Sequence, residues 1–215
     1  MSQGGFKEAN MASTLQILPS TALRRIHQIQ GITIAWMSVE VVVGMWAALR
    51  AHSPAILAFA GDSTIELLSA GVVLWRFRTG AAHERDERRA ARVAGGLLLA
   101  LAVYVAVAAA VTLLGYNEAR PTYVGIVLLA AAALVMPWLA REKRQLSMVT
   151  GSAALRADAA ESALCAYLSL IALAGLATHA IWHVAWADPV AALVITPLIV
   201  WEARQALRGK ACGCC

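Results

Sequence analysis

Charged side chains are scarce in this sequence: they make up 14% of the 215 residues, whereas hydrophobic residues make up 60%. A soluble domain usually has about a quarter charged residues and about half apolar ones. The shortage of charge excludes an ordinary soluble domain and indicates a membrane protein. Long apolar stretches in lipid must be helical because their backbone groups find no water there, so we predict an all-α membrane protein. We therefore expect the lipid bilayer as a partner and no nucleic acid.

Cysteine is also scarce, and its four positions exclude a disulfide framework. Cys165 lies in an apolar stretch, whereas Cys212, Cys214 and Cys215 crowd the last four positions. This placement indicates a reducing compartment on the side of the C-terminus. The three tail thiols either collect a thiophilic metal ion or form a reduced or lipidated tail, and the sequence leaves both readings open.

An apolar run is missing from residues 1–19, so we expect no cleavable secretory signal there. We expect the first spanning helix to direct insertion and to remain in the protein. Apolar stretches of about the 20 residues needed to cross a bilayer recur six times. They cover roughly Gly31–Leu49, Pro54–Trp75, Val93–Gly115, Thr122–Ala140, Ala154–Ile181 and Ala187–Trp201. The sequence thus predicts six transmembrane helices.

The basic residues segregate between the links that join these stretches. Of the 18 Lys and Arg residues, all but Arg50 and Arg120 fall at the termini, in the second and fourth links or beside them. The positive-inside rule then places both termini in the cytoplasm of a cell inner or plasma membrane. We expect a cytoplasmic segment over 1–24, a six-helix domain over 25–205 and a Cys-rich cytoplasmic tail over 206–215.

Two carboxylates interrupt the second apolar stretch near its middle, in Gly61-Asp62-Ser-Thr-Ile-Glu66. A spacing of four places Asp62 and Glu66 on one helix face. One carboxylate at mid-membrane costs about 2.5–3.5 kcal/mol, and two on one face repel each other unless a cation or protons intervene. The pair indicates an ion or proton site inside the bundle, and the alternative is a protonated pair that bonds to its neighbours.

The fifth stretch repeats the pattern, because Glu161 and Cys165 also lie four apart. Together with Asp62 and Glu66 they would supply four ligands from two helices, the number in a tetrahedral zinc site. Mixed hard and soft donors suit a borderline divalent ion better than Na⁺ or Mg²⁺. Alone, Cys165 reads as a small packing residue. Asp158 is either an accessory group or a cap beside Arg156.

Glu40 stands inside the first stretch with no obvious local partner, which is an expensive position for a carboxylate. Two readings fit it equally. It is either a proton-relay group or the acceptor of a hydrogen bond between helices.

These motifs together resemble the transmembrane half of the cation diffusion facilitator family, also called cation efflux proteins. In that family the second helix carries an acidic residue or His and an Asp four apart, and Asp62 and Glu66 match this pattern with Glu in place of the second Asp. The fifth helix carries His and Asp four apart after Arg-Ala-Asp. This chain has Arg156-Ala-Asp158 there, followed by Glu161 and Cys165. The resemblance covers all six helices, and the chain looks like a compact branch without the family's cytoplasmic domain.

The resemblance implies a proton-coupled exporter of divalent cations and a homodimer, with no tightly bound cofactor. Zn²⁺ is the favoured cargo, and Fe²⁺, Mn²⁺, Co²⁺ and Cd²⁺ remain open because Glu161 and Cys165 depart from the family pattern. A non-transporting scaffold or metal-responsive regulator of the same fold is the alternative. An enzyme is not expected, because the sequence shows no nucleophile constellation.

Overall fold

The computed structural model describes residues 20–79, 84–115, 120, 122–151 and 153–208, and the regular elements in these ranges are all α-helices. In chain order they are α1 (Ser20–Ala51), α2 (Pro54–Thr79), α3 (Glu84–Leu113), α4 (Tyr123–Thr150), α5 (Ala153–Trp182) and α6 (Ala187–Leu207). The predicted all-α fold is confirmed. The tail thiols Cys212, Cys214 and Cys215 lie outside the described residues.

Five of these helices are long and apolar enough to cross a membrane, namely α1, α3, α4, α5 and α6. Only 28–44% of their most apolar windows is buried within the bundle. Large apolar side chains such as Val42, Val103 and Leu134 therefore point outward, where water would not accept so wide an apolar surface. The chain is a multi-pass membrane protein surrounded by lipid.

The fourth helix is longer than the sequence predicted. Charged residues from Arg141 to Arg144 indicated a link, but α4 continues as a helix to Thr150. Lys, Arg and Glu are good helix formers, so a run of charge marks a change of environment and not the end of a helix. Gly151 ends α4 with a φ of 64°, a left-handed conformation that glycine adopts without strain.

The α2 helix lies at the centre of the bundle, because it contacts α1, α3, α5 and α6. The most extensive pairings elsewhere join α4 to α5 and α3 to α6. Over residues 54–66 of α2, every side chain is buried or half-buried. The central position of α2 explains how polar side chains on it are kept away from lipid.

One end of α2 is tied to α6 by a buried hydrogen bond. Ser53 Oγ donates to Asp188 Oδ1 over 2.7 Å and accepts from the backbone N–H of Ile56 over 3.1 Å. Ser53 thus caps the start of α2 while Asp188 holds it against the start of α6. This contact gives Asp188 a structural role at the start of α6.

Close packing of α3 against α6 depends on a glycine. A Cβ added at Gly95 would lie 2.8 Å from the carbonyl oxygen of Ala203 and 3.0 Å from the backbone nitrogen of Leu207. We expect Gly95→Ala to lower the free energy of unfolding by about 1–3 kcal/mol, because backbone atoms cannot move aside. Thermal unfolding of the detergent-purified protein, followed by tryptophan fluorescence, measures this loss.

Gly96 provides the matched control, since a Cβ added there meets nothing within 4 Å. Gly96→Ala should leave stability unchanged or raise it by up to about 1 kcal/mol through helix propensity. Equal effects of the two substitutions would contradict the packing argument.

Candidate metal centre

The centre of the bundle contains the two carboxylates of α2. Asp62 and Glu66 are one helical turn apart and expose only 5% and 4% of their surface. Glu66 is anchored through one oxygen, because Ser162 Oγ on α5 donates to its Oε1 over 2.6 Å. Its Oε2 is buried and has no hydrogen-bond partner among the described residues. That oxygen is available to a ligand.

Cys165 on α5 completes a group of three candidate metal ligands. Its side chain is fully buried. One ligand atom from each of Asp62, Glu66 and Cys165 lies within 4.8 Å of the other two. In a tetrahedral site with bonds of about 2.0–2.3 Å, ligand atoms stand about 3.3–3.8 Å apart. A contraction of at most about 1.5 Å would therefore bring the three donors onto one ion.

Glu161, the fourth ligand predicted from the sequence, is not part of this group. It is half-buried one turn away from Cys165 on the same helix. It lies near enough for its charge to act on Asp62. The structure therefore places Glu161 beside the three-residue group and leaves its role as a ligand a prediction.

Glu40 on α1 reaches the same centre. It is fully buried, and it accepts hydrogen bonds from Trp36 Nε1 and, over 2.8 Å, from Ser63 Oγ on α2. Cys165 Sγ lies 3.9 Å from its Oε2. The first helix thus adds a carboxylate next to the thiol. The expectation that Glu40 has no local partner was wrong, because Trp36 lies one helical turn before it and donates to it.

A buried ion pair adjoins the group, and it corrects the reading of Lys143 as a charge in the fourth link. Lys143 is fully buried, and its Nζ lies 3.0 Å from Asp158 Oδ1 and 2.8 Å from Ser162 Oγ. Gln30 Nε2 donates to the other oxygen of Asp158 over 2.6 Å. Asp158 is therefore an internal ion-pair partner and not a cap beside Arg156, which is exposed.

Glu202 on α6 is a further member of this region that sequence reasoning missed. A side-chain hydrogen bond links it to Asp62, so one of the two carboxyls carries the shared proton. Glu202 is half-buried. Its position near the end of an apolar stretch is typical of a solvated charge, and only the contact of α6 with α2 reveals the pairing.

Comparison with protein families gives one match: a family model described as the cation efflux transmembrane domain covers residues 32–210. No curated protein matches the sequence. The matched range includes all the polar residues of this centre and of the adjoining ion pair except Gln30.

Proposed function

Because the chain belongs to the cation efflux family, we propose that it exports divalent metal cations, with Zn²⁺ favoured, from the cytoplasm in exchange for protons. Membership confirms the resemblance noted in the motifs and implies divalent cation transport. The family consists of transporters, so the chain is not an enzyme. The observation that carries the proposal is the buried group of Asp62, Glu66 and Cys165 at the centre of the bundle.

The choice of Zn²⁺ rests on the donors. Two carboxylates and a thiol combine hard and soft ligands, which suits a borderline ion that accepts tetrahedral geometry. A site for Mg²⁺ or Ca²⁺ would instead be built from oxygen ligands alone. Fe²⁺, Mn²⁺, Co²⁺ and Cd²⁺ are the competing cargoes.

Proton exchange follows from the charge of the centre. A metal ion binds deprotonated ligands, so loading the site releases protons. When the metal leaves, carboxylates crowded in a dry interior must regain protons or another cation to offset their mutual repulsion. Proton entry from the outside would therefore supply work for export, as helices rock around the central site.

In the proposed topology α2 crosses the membrane as well as the five helices named above, which gives six spans. Both termini lie on the cytoplasmic side of the inner or plasma membrane. Three considerations support it: α2 has 26 residues, it lies between other spanning helices, and the basic residues segregate by side. A homodimer is expected by analogy with the family.

Glu40 and Glu161 compete for the role of fourth ligand, and a pair of equivalent substitutions separates them. We expect Glu40→Gln to weaken Zn²⁺ binding by about 10–100-fold, because the amide loses the charge beside Cys165. Glu161→Gln should weaken it less. Isothermal titration calorimetry on the purified protein measures both, and a larger loss with Glu161→Gln would favour the original prediction.

The test of the proposed function is metal flux into proteoliposomes that contain the purified protein, measured across a pH gradient for each candidate cation. We expect Zn²⁺ uptake that increases with the opposing proton gradient. Binding without flux would favour the scaffold or regulator, and flux without dependence on pH would remove the proton coupling.

A further inference from the structure

The ammonium of Lys143 is shared between two carboxylates of the protein interior. An ammonium has three N–H donors. Two of them are used by Asp158 Oδ1 at 3.0 Å and Ser162 Oγ at 2.8 Å. Glu66 Oε1 lies 3.9 Å away, which is within ion-pair range but too far for a hydrogen bond. Lys143 therefore belongs electrostatically to the candidate metal centre as well as to Asp158.

The two oxygens of Glu66 have different surroundings. Its Oε1 accepts from Ser162 and faces the ammonium, whereas its Oε2 is buried without a hydrogen-bond partner in the described structure. A divalent ion held by Oε2 would stand no more than about 8 Å from the ammonium, because the 3.9 Å from Nζ to Oε1 is extended by at most the spacing of the two carboxylate oxygens, about 2.2 Å, and a metal–oxygen bond of about 2.1 Å. The carboxylate of Glu66 would then interact with two cations at once. The repulsion between the metal ion and the ammonium is only weakly screened in a dry interior.

From this arrangement we propose that Lys143 is a tethered cation that competes with the transported ion for Glu66. In the empty site the ammonium offsets the charge of Glu66. When the metal binds, it repels the ammonium toward Asp158, which is already its closest charged partner. Lys143 thereby lowers the affinity for cargo and favours release, since a site that binds too tightly cannot pass its ion on. The inference rests on the proposed metal transport.

A simpler role for Lys143 is to neutralise Asp158. The two roles predict different metal affinities for the variant in which both charges are removed. If Lys143 serves only Asp158, removing both charges leaves the metal site unchanged. If it competes for Glu66, removing its charge strengthens metal binding whether or not Asp158 is changed at the same time.

The experiment is Zn²⁺ titration calorimetry at one fixed pH on the full chain in detergent. Cys212, Cys214 and Cys215 are replaced by Ser in every sample, so that tail thiols do not bind the probe. We expect Lys143→Met to bind Zn²⁺ at least about 10-fold more tightly than the parent, in the range of close charge pairs. Lys143→Arg keeps a cation and should bind more weakly than Lys143→Met.

The double variant Lys143→Met with Asp158→Asn guards against misfolding, because it leaves neither member of the buried Lys143–Asp158 pair charged without the other. It should also bind Zn²⁺ more tightly than the parent. Affinity of the double variant equal to that of the parent would overturn the inference while leaving metal transport intact. Absence of Zn²⁺ binding to the parent would overturn the proposed function and the inference together.

Discussion

Replacing Asp62 with Asn and Glu66 with Gln should reduce Zn²⁺ flux into proteoliposomes by more than about 100-fold. Even groups that merely orient metal ligands are typically worth about 10–100-fold in affinity, and these two carboxylates supply two of the three donors in the central group. Both amides nearly preserve the side-chain volumes, so packing around α2 is retained. The loss should appear as lost metal binding and not as lost protein.

The matched control is Glu142→Gln, the same chemical change at a carboxylate outside the centre. Glu142 pairs with the exposed Arg25 over 2.9 Å, and exposed pairs contribute about 0–1 kcal/mol. Flux through this variant should equal that of the wild type. Retention of Zn²⁺ flux in the Asp62 and Glu66 double variant would remove these residues from the transport site.

The second large effect concerns stability. Asp158→Asn should lower the free energy of unfolding by about 3 kcal/mol, because breaking one side of a buried ion pair leaves an uncompensated charge. Lys143 is fully buried and can turn only to Glu66 for a charged partner among the described residues. The same variant should therefore also weaken Zn²⁺ binding, as the ammonium moves onto a metal ligand.

Unfolding in mixed micelles that contain an increasing fraction of a denaturing detergent measures the loss in the free energy of unfolding. Adding Lys143→Met to Asp158→Asn should recover most of it, since replacing both members of a buried pair by neutral groups is often close to neutral. If the single and double variants unfold alike, the ion pair contributes little and the loss has another origin.

The helices could be predicted from the sequence because long apolar stretches in lipid have no alternative to a helix. Their ends could not, as α1 and α4 show. The basic residues Arg24 and Arg25 lie within α1, and the charged run after Ala140 lies within α4. Backbone hydrogen bonding continues past the point where side chains leave the apolar region.

The site was predictable where its signal was a charge on an apolar helix, as for Asp62, Glu66 and Glu40. Pairings between helices were not predictable, because they depend on how α1, α5 and α6 are placed around α2. Lys143 was misread because its neighbours in sequence are charged, while its own side chain faces the interior. Glu202 was missed because a carboxylate near the end of an apolar stretch is typical of a solvated charge.

The turn at Gly151 has a consequence for how the protein enters the bilayer. It joins α4 to α5 so closely that Lys143 and Asp158, 15 positions apart in the chain, form their ion pair within a single helical hairpin. Insertion of each charge alone would cost about 2.5–3.5 kcal/mol at mid-membrane depth. A hairpin that inserts as one unit carries both charges into the bilayer as an ion pair, before the other four helices assemble around it.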